Sequence, residues 1–220
     1  MAVAVFVAIA VSSAGVGFIL VTTHVTVTFD RYFYELALQH HNGVLDILVT
    51  PVNLDFLPFG VTPSYLNIWV ILLLGYVTIF RRKEVVPLLF TLIIAFSVSA
   101  AILYLNKHLV FRVRPFTVFP NNLSVQFKSY LVHVASWPPG HTRDTAIFAT
   151  LTAHWLPKLK WPAIIFALFV AFSRLYVGAH YPTDVIGGLL LGWAIGETAI
   201  LAGEALWRHL RSSHADPDPS

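Results

Sequence analysis

Three short segments of this 220-residue chain carry side chains that so apolar a sequence does not keep for packing. They are Lys107 to Pro115 (KHLVFRVRP), Pro138 to His141 (PPGH) and Ser173 to Asp184 (SRLYVGAHYPTD). Lys107, Arg114 and Arg174 supply three cations, His141 and His180 two imidazoles, and Asp184 a carboxylate four residues beyond His180. The set suits an anion with several oxygens. Phosphoryl transfer asks a protein mainly for positioning and for neutralising charge on the equatorial oxygens. Arginine can take two phosphate oxygens at once, and lysine acts as a point charge. One imidazole can attack phosphorus and hold the phosphoryl group covalently. A second, titrating near neutrality, can protonate a leaving oxygen and then activate water. Asp184 could accept the other ring N–H of His180 and fix its tautomer. Each residue also has a plainer reading. Lys107 at the end of an apolar run could snorkel, and Asp184 could cap a helix. Arg174 lies within an apolar run and needs a partner: a bound phosphate, Asp184 or Asp144. A metal centre fits poorly, because zinc needs three or four ligands and three cations would repel it. No cofactor is called for.

The elements that must position these residues are apolar. The chain is 57% hydrophobic and 11% charged, where a soluble domain carries roughly 25% charged residues. Its mean hydropathy is +0.73. This predicts an integral membrane protein. A span needs about 20 apolar residues, and six stretches qualify as candidates: 2–22, 63–80, 86–106, 142–156, 161–178 and 183–206. The fourth is short and opens on polar TRDT, as expected of a helix lining a cavity. The fold class is therefore all-α, a six-helix membrane bundle forming one domain over 1–211, with a disordered tail over 212–220. Residues 1–22 lack a basic leader and read as a retained first span. Arg81, Arg82 and Lys83, then Lys158 and Lys160, then Arg208 and Arg211 all fall on one side of such a bundle. That side is cytoplasmic, as are both termini, by the positive-inside rule. The chemistry-bearing residues fall together on the outer side.

Between the first two spans, Phe29, Phe33 and Leu36 oppose Arg31, Glu35 and Gln39, the pattern of an interfacial helix that Asn42-Gly43 would end. The plainer reading, a structural amphipathic connector, is favoured for its role. The loop 116–137 holds Phe116, Phe119, Leu123, Phe127, Tyr130 and Leu131, and either guides a lipid or packs over the bundle. The net charge of +3 comes from scattered clusters and forms no stripe for nucleic acid. With no cysteine, disulfides, thiolate metal sites and cysteine catalysis are excluded. The residues specify no oligomeric state.

Taken together, the three motifs resemble the signature of the type-2 phosphatidic acid phosphatase and haloperoxidase family. That signature is Lys, six residues, Arg-Pro; then Pro-Ser-Gly-His; then Ser-Arg, five residues, His, three residues, Asp. The first and third match at every fixed position, and the second departs at Pro139, where the family usually has serine. The resemblance implies a metal-free lipid phosphate or pyrophosphate phosphatase working on the outer face through a phosphohistidine. It casts His180 as nucleophile, His141 as general acid and Asp184 as its orienting carboxylate, with Lys107, Arg114, Gly140, Ser173 and Arg174 binding phosphate. Relatives act on phosphatidic acid, phosphatidylglycerol phosphate, diacylglycerol pyrophosphate or polyprenyl pyrophosphate. The small size resembles a prokaryotic member, which puts polyprenyl pyrophosphate first. A transferase of the same family, a non-catalytic lipid-phosphate binder and a transporter using Arg174 and Glu197 are the other readings. Proline at 139 gives up a hydroxyl and an N–H, a loss of about 1–3 kcal/mol where a charged oxygen goes unsatisfied. Thr142 could supply the hydroxyl instead. Arg112, Lys128 and Arg143 lie outside the pattern and receive no catalytic role. Arg143-Asp144 is expected as a supporting ion pair, and His133 and His154 as structural histidines. Glu197 and Glu204 are expected to find partners within the bundle.

Overall fold

The computed structural model describes residues 2–22, 24–40, 42–53, 64–118 and 135–213. Among them the regular structure is entirely helical. The helices are α1 (Ala2–Thr22), α2 (His24–Gln39), α3 (Gly43–Asn53), α4 (Ser64–Phe80), α5 (Val85–Leu109), α6 (Pro115–Val118), α7 (Gly140–Trp155), α8 (Lys160–Tyr176) and α9 (Pro182–Ser213). A helix occupies each of the six apolar stretches. Helical segments in four of them, Val3–Thr22, Arg82–Leu109, Pro157–Tyr176 and Pro182–Ser213, are long and apolar enough to cross a membrane. α4 and α7, of 17 and 16 residues, are shorter.

α9 is the spine of the bundle and packs most extensively on α7 and α5. Leu191, Ile195, Ala199 and Ile200 of α9 meet Leu88, Leu92, Ala95 and Ile102 of α5 and Ile147, Phe148 and Leu151 of α7 in the largest core cluster. The α7–α9 contact is close because α9 carries Gly188, Gly192 and Gly196 at intervals of four. A Cβ at these positions would press on Pro139, on Arg143 and Ala146, and on Thr150 respectively. Small residues spaced this way let two backbones approach within lipid, where no hydrophobic effect drives helices together. Outward-facing Ile71, Ile79, Ile93, Ile165, Leu190 and Leu201 are all more than half exposed. Water would penalise that surface and hydrocarbon would not.

The segment between α1 and α4 differs from expectation in three ways. α2 forms where expected, but its buried positions are Asp30 and Tyr34, while Phe29 and Phe33 stay exposed. The side that carries Asp30 and Tyr34 therefore faces protein, while Arg31 and Glu35 also stay exposed. Asn42 does more than close α2, since its side chain accepts the Leu45 N–H at 3.0 Å and caps α3. α3 itself was not anticipated. It is held by Tyr176 at the end of α8, whose hydroxyl donates to Asp46 Oδ1 at 2.7 Å and accepts the Asn42 N–H at 3.1 Å. At the other end of the chain, α9 runs through Ser213, two residues into the expected tail. Residues 214–220 and 119–134, the latter including Lys128 and His133, lie outside the described residues. His154 pairs with Glu204 at 3.0 Å, and Trp193 donates to Glu197 at 3.2 Å, so both glutamates have partners as expected.

Candidate active site

The end of α5, the start of α7, the end of α8 and the start of α9 meet at one end of the bundle, and each brings part of the motif set. Pro115 disfavours helix at the residue before it. α5 has already given way at Val110 to extended backbone. Along that stretch burial alternates: Phe111 and Val113 face out, while Arg112 and Arg114 are 6% and 5% exposed and face in. Arg114 Nη1 donates to the Ala179 carbonyl at 3.0 Å. Lys107 donates to the Ala135 carbonyl and so ties α5 to the loop before α7.

That loop is wedged in place by Trp137, which is 1% exposed. Its indole sits against Gly17 of α1 and Gly187 of α9 so closely that a Cβ on either would collide with it. Its Nε1–H donates to the Ser13 carbonyl at 3.0 Å and approaches Asn106 Oδ1 at 3.3 Å. α7 then starts at Gly140, with Pro139 as an N-cap that makes no side-chain hydrogen bond. No capping side chain competes for the first-turn N–H groups, which with the helix dipole favour an anion. A Cβ on Gly140 would meet nothing within 4 Å, so packing does not demand glycine there. The expected ion pair is present within α7: Arg143 Nη2 to Asp144 Oδ1 at 2.8 Å, with Ser99 donating to the same oxygen at 2.6 Å.

The turn between α8 and α9 aims His180. Gly178 has φ 67°, a left-handed conformation that costs glycine little. It lets the N–H groups of Ala179 and His180 reach back to the Arg174 carbonyl, at 3.0 and 3.3 Å. α9 opens on Pro182, a residue suited to a first helical turn. Asp184 Oδ2 accepts the Tyr181 N–H at 3.1 Å, so Asp184 caps the helix as well as standing in the site. Ser173 is placed differently from the other site residues. Its hydroxyl donates to the Val170 carbonyl at 2.7 Å and turns into its own helix.

His180 is 2% exposed, with its two nitrogens in distinct surroundings. Nε2 faces Arg114 Nη1 at 3.4 Å. Arginine is a donor only, so Nε2 presents its lone pair and the ring proton belongs on Nδ1. Nδ1 lies 3.4 Å from Ser136 Oγ and 3.9 Å from Asp184 Oδ2. The second distance exceeds a hydrogen bond. Direct acceptance by Asp184, expected from the spacing, is therefore replaced by a relay: Nδ1–H points to Ser136 Oγ, and Ser136 donates to Asp184 Oδ2. Burial, and then the positive charge of Arg114, Arg174, Lys107 and His141 in turn, hold the His180 pKa well below its ordinary value of 6.5. Burial and these charges together favour the neutral imidazole.

A family model described as the PAP2 superfamily matches residues 84–207, more than half of the chain and the whole of this constellation. The chain belongs to the PAP2 superfamily. Among curated proteins, it is 30% identical over 160 residues to the undecaprenyl-diphosphatase BcrC of Bacillus subtilis, covering 73% of this chain and 76% of that one. It is 34% identical over 119 residues to an undecaprenyl-diphosphatase of Sulfolobus acidocaldarius, covering 52% and 53%. A lipid A 1-phosphatase of Rhizobium etli matches at 34% over 116 residues, 51% and 48%. The PAP2 fold is shared with the transmembrane PAP2 type phosphatidylglycerolphosphate phosphatase of Bacillus subtilis: TM-score 0.63 over 93% of this chain and 96% of that one, at 21% identity.

Two residues beside this PAP2 constellation were not anticipated. Ser136 carries no distinguishing signal, since it lies outside the three motifs. Arg112 lies outside the motif pattern, yet it bonds both Asp184 and Asp30. The departure at Pro139 also has a structural setting, since its ring packs on α9 at Gly188. Thr142, the other candidate for a hydroxyl donor, is fully buried beside it. Its Cβ faces Gly188, and its sealed hydroxyl has no hydrogen-bond partner among the described residues. Pro139→Ser adds an N–H and a hydroxyl and is expected to raise kcat/KM about tenfold, the worth of one bond to a charged oxygen. An unchanged rate in a phosphate-release assay would show that the site is indifferent to that donor.

Proposed function

We propose that this PAP2 chain is a lipid phosphate phosphatase that works through a phosphohistidine on the outer membrane face, with a polyprenyl pyrophosphate as its leading substrate class. The observation that carries the mechanism is the orientation of His180: lone pair towards Arg114, ring proton towards Ser136 and Asp184. Lys107, Arg114 and Arg174 would bind the phosphate oxygens, aided by the first-turn N–H groups at Gly140. His180 Nε2 attacks phosphorus, and an N–P bond forms as the P–O bond to the leaving group breaks. His141 gives its proton to the departing oxygen, which leaves as lipid monophosphate from a pyrophosphate or as lipid alcohol from a monophosphate. His141 then takes a proton from water, whose oxygen attacks phosphorus, and inorganic phosphate departs with His180 restored. The positive charge at His180 developed during attack is held by the Ser136–Asp184 relay. The donor set, cations with two imidazoles, suits an anion and repels a divalent metal, so the reaction is expected to proceed without one.

Two further features support a lipid substrate. An apolar groove of about 530 Å³, lined by Phe29, Phe33, Phe172, Leu175, Val185 and Ile186 among others, opens beside the turn that carries His180. It could take the tail while the head reaches the cations. The basic clusters at Arg81 to Lys83, Lys158, Lys160, Arg208 and Arg211 stand at helix ends remote in the chain path from the motif residues, as a six-span bundle with an outward site requires. The relatives named as undecaprenyl-diphosphatases favour the polyprenyl class. The test is phosphate release from a panel of polyprenyl pyrophosphate, phosphatidic acid and phosphatidylglycerol phosphate, with chelator present. Release that survives chelator and is fastest on the polyprenyl substrate is expected. No release from any of them would leave a binder.

A further inference from the structure

We propose that Asp30 and Arg112 are positioning residues for the reaction. The guanidinium of Arg112 stands between two buried carboxylates and fixes Asp184 in the orientation that the Ser136–His180 relay needs. The inference rests on the phosphatase reading and extends it to residues outside the family motifs.

Arg112, Asp30 and Asp184 are 6%, 1% and 0% exposed. Arg112 Nη1 donates to Asp184 Oδ1 and, at 3.0 Å, to Thr183 Oγ1, while Nη2 donates to Asp30 Oδ2. The guanidinium also lies 4.4 Å over the Tyr181 ring. Asp30 accepts the Thr183 N–H at 3.0 Å and the Thr183 hydroxyl at 2.7 Å, so α2 is pinned to the first turn of α9. The division of labour on Asp184 is clean: Oδ1 belongs to Arg112, and Oδ2 to Ser136 and the Tyr181 N–H. A buried carboxylate without a cation is costly and tends to neutralise. A protonated or rotated Asp184 would no longer draw the Ser136 hydrogen, and Ser136 would no longer be committed as acceptor for His180 Nδ1–H. Arginine suits the position because its fork spans two carboxylates at once, which a lysine ammonium does less well. Asp30 in turn holds the far side of the fork. Both residues work through Asp184.

The experiment measures steady-state hydrolysis of a polyprenyl pyrophosphate by the full chain in detergent, with orthovanadate inhibition as an independent probe of the anion pocket. Arg112→Gln is expected to lower kcat about 10- to 100-fold, the usual cost of losing an outer-layer orienting bond, with KM and vanadate inhibition within about threefold of wild type. Arg112→Lys should recover part of that loss. Asp30→Asn should lose less than Arg112→Gln, and Asp30→Glu less again. In an Asp184→Asn background, Arg112→Gln should add less than about twofold, because its effect passes through the lost carboxylate. Wild-type kcat in Arg112→Gln, full additivity with Asp184→Asn, or loss of vanadate inhibition in step with kcat would each overturn the inference. The last would mean the pocket has collapsed rather than lost an orienting bond. A wild-type chain that releases no phosphate would overturn the phosphatase reading, and this inference with it.

Discussion

His180→Ala will lower kcat for phosphate release by about 10⁴-fold or more, the scale on which loss of a nucleophile or its base is felt in hydrolases. Direct binding of the lipid pyrophosphate should change by no more than about tenfold, because three cations remain to hold it. The variant leaves the pocket without a lone pair facing Arg114, and His141, cast as acid and base, has no second imidazole to serve. Activity above about a hundredth of wild type would remove the nucleophile assignment. The same residue fixes a pH dependence. Burial and then Arg114, Arg174, Lys107 and His141 hold its pKa well below 6.5. His180 is therefore expected to stay neutral through the range where an exposed histidine would charge, and to contribute no acid limb to kcat/KM near pH 6.5. Removing a nearby cation in Arg114→Gln should raise the His180 pKa and bring an acid limb up towards that range. Stability follows the same sign. Below about pH 6.5 the unfolded chain takes up a proton that folded His180 refuses. This contribution is complete above that pH and is lost progressively as pH falls below it.

The second large effect is on folding. A Cβ at Gly192 would collide with the Arg143 carbonyl oxygen and lie 2.7 Å from Ala146 Cβ. The carbonyl is backbone and cannot turn aside, so Gly192→Val has to push α7 away from α9. Overpacking of this kind costs about 3 kcal/mol or more, and it moves the helix that carries His141. Thermal unfolding in detergent should show a clear fall in Tm together with loss of activity. Gly75→Ala is the control. A Cβ there meets nothing within 4 Å, and the change should be neutral or mildly stabilising because alanine favours a helix. An unchanged Tm in Gly192→Val would mean the two helices are not packed through this glycine seam.

Much of this arrangement can be read before any coordinates. The apolar runs locate six helices because a span must satisfy its own backbone in lipid and therefore declares its length. The motif residues announce themselves because charge in so apolar a chain needs a reason. The motif pattern passes over Arg112, although the sequence carries its signal. In FRVR, apolar and cationic residues alternate, and extended backbone sends alternate side chains to opposite faces. An arginine two residues from Arg114 must therefore share its side. α2 misleads for a related reason. Its phenylalanines and charges define an interfacial pattern and draw the eye from Asp30, which lies on neither of those faces and turns inward against protein. α3 escapes detection because it is 11 residues long and contains Pro51. Ser136 was beyond reach. Its importance lies in a position between His180 and Asp184 that only the convergence of separate segments creates.

The seat of Trp137 reaches further than packing. Its indole rests on Gly17 and is held by the Ser13 carbonyl, so one wall of the loop that delivers His141 belongs to α1. Those first residues are the part of the chain that most resembles a disposable secretion leader. Clipping them off, by a peptidase in the cell or by an engineered truncation, would unseat the indole and amount to a lesion at a site more than a hundred residues away in sequence.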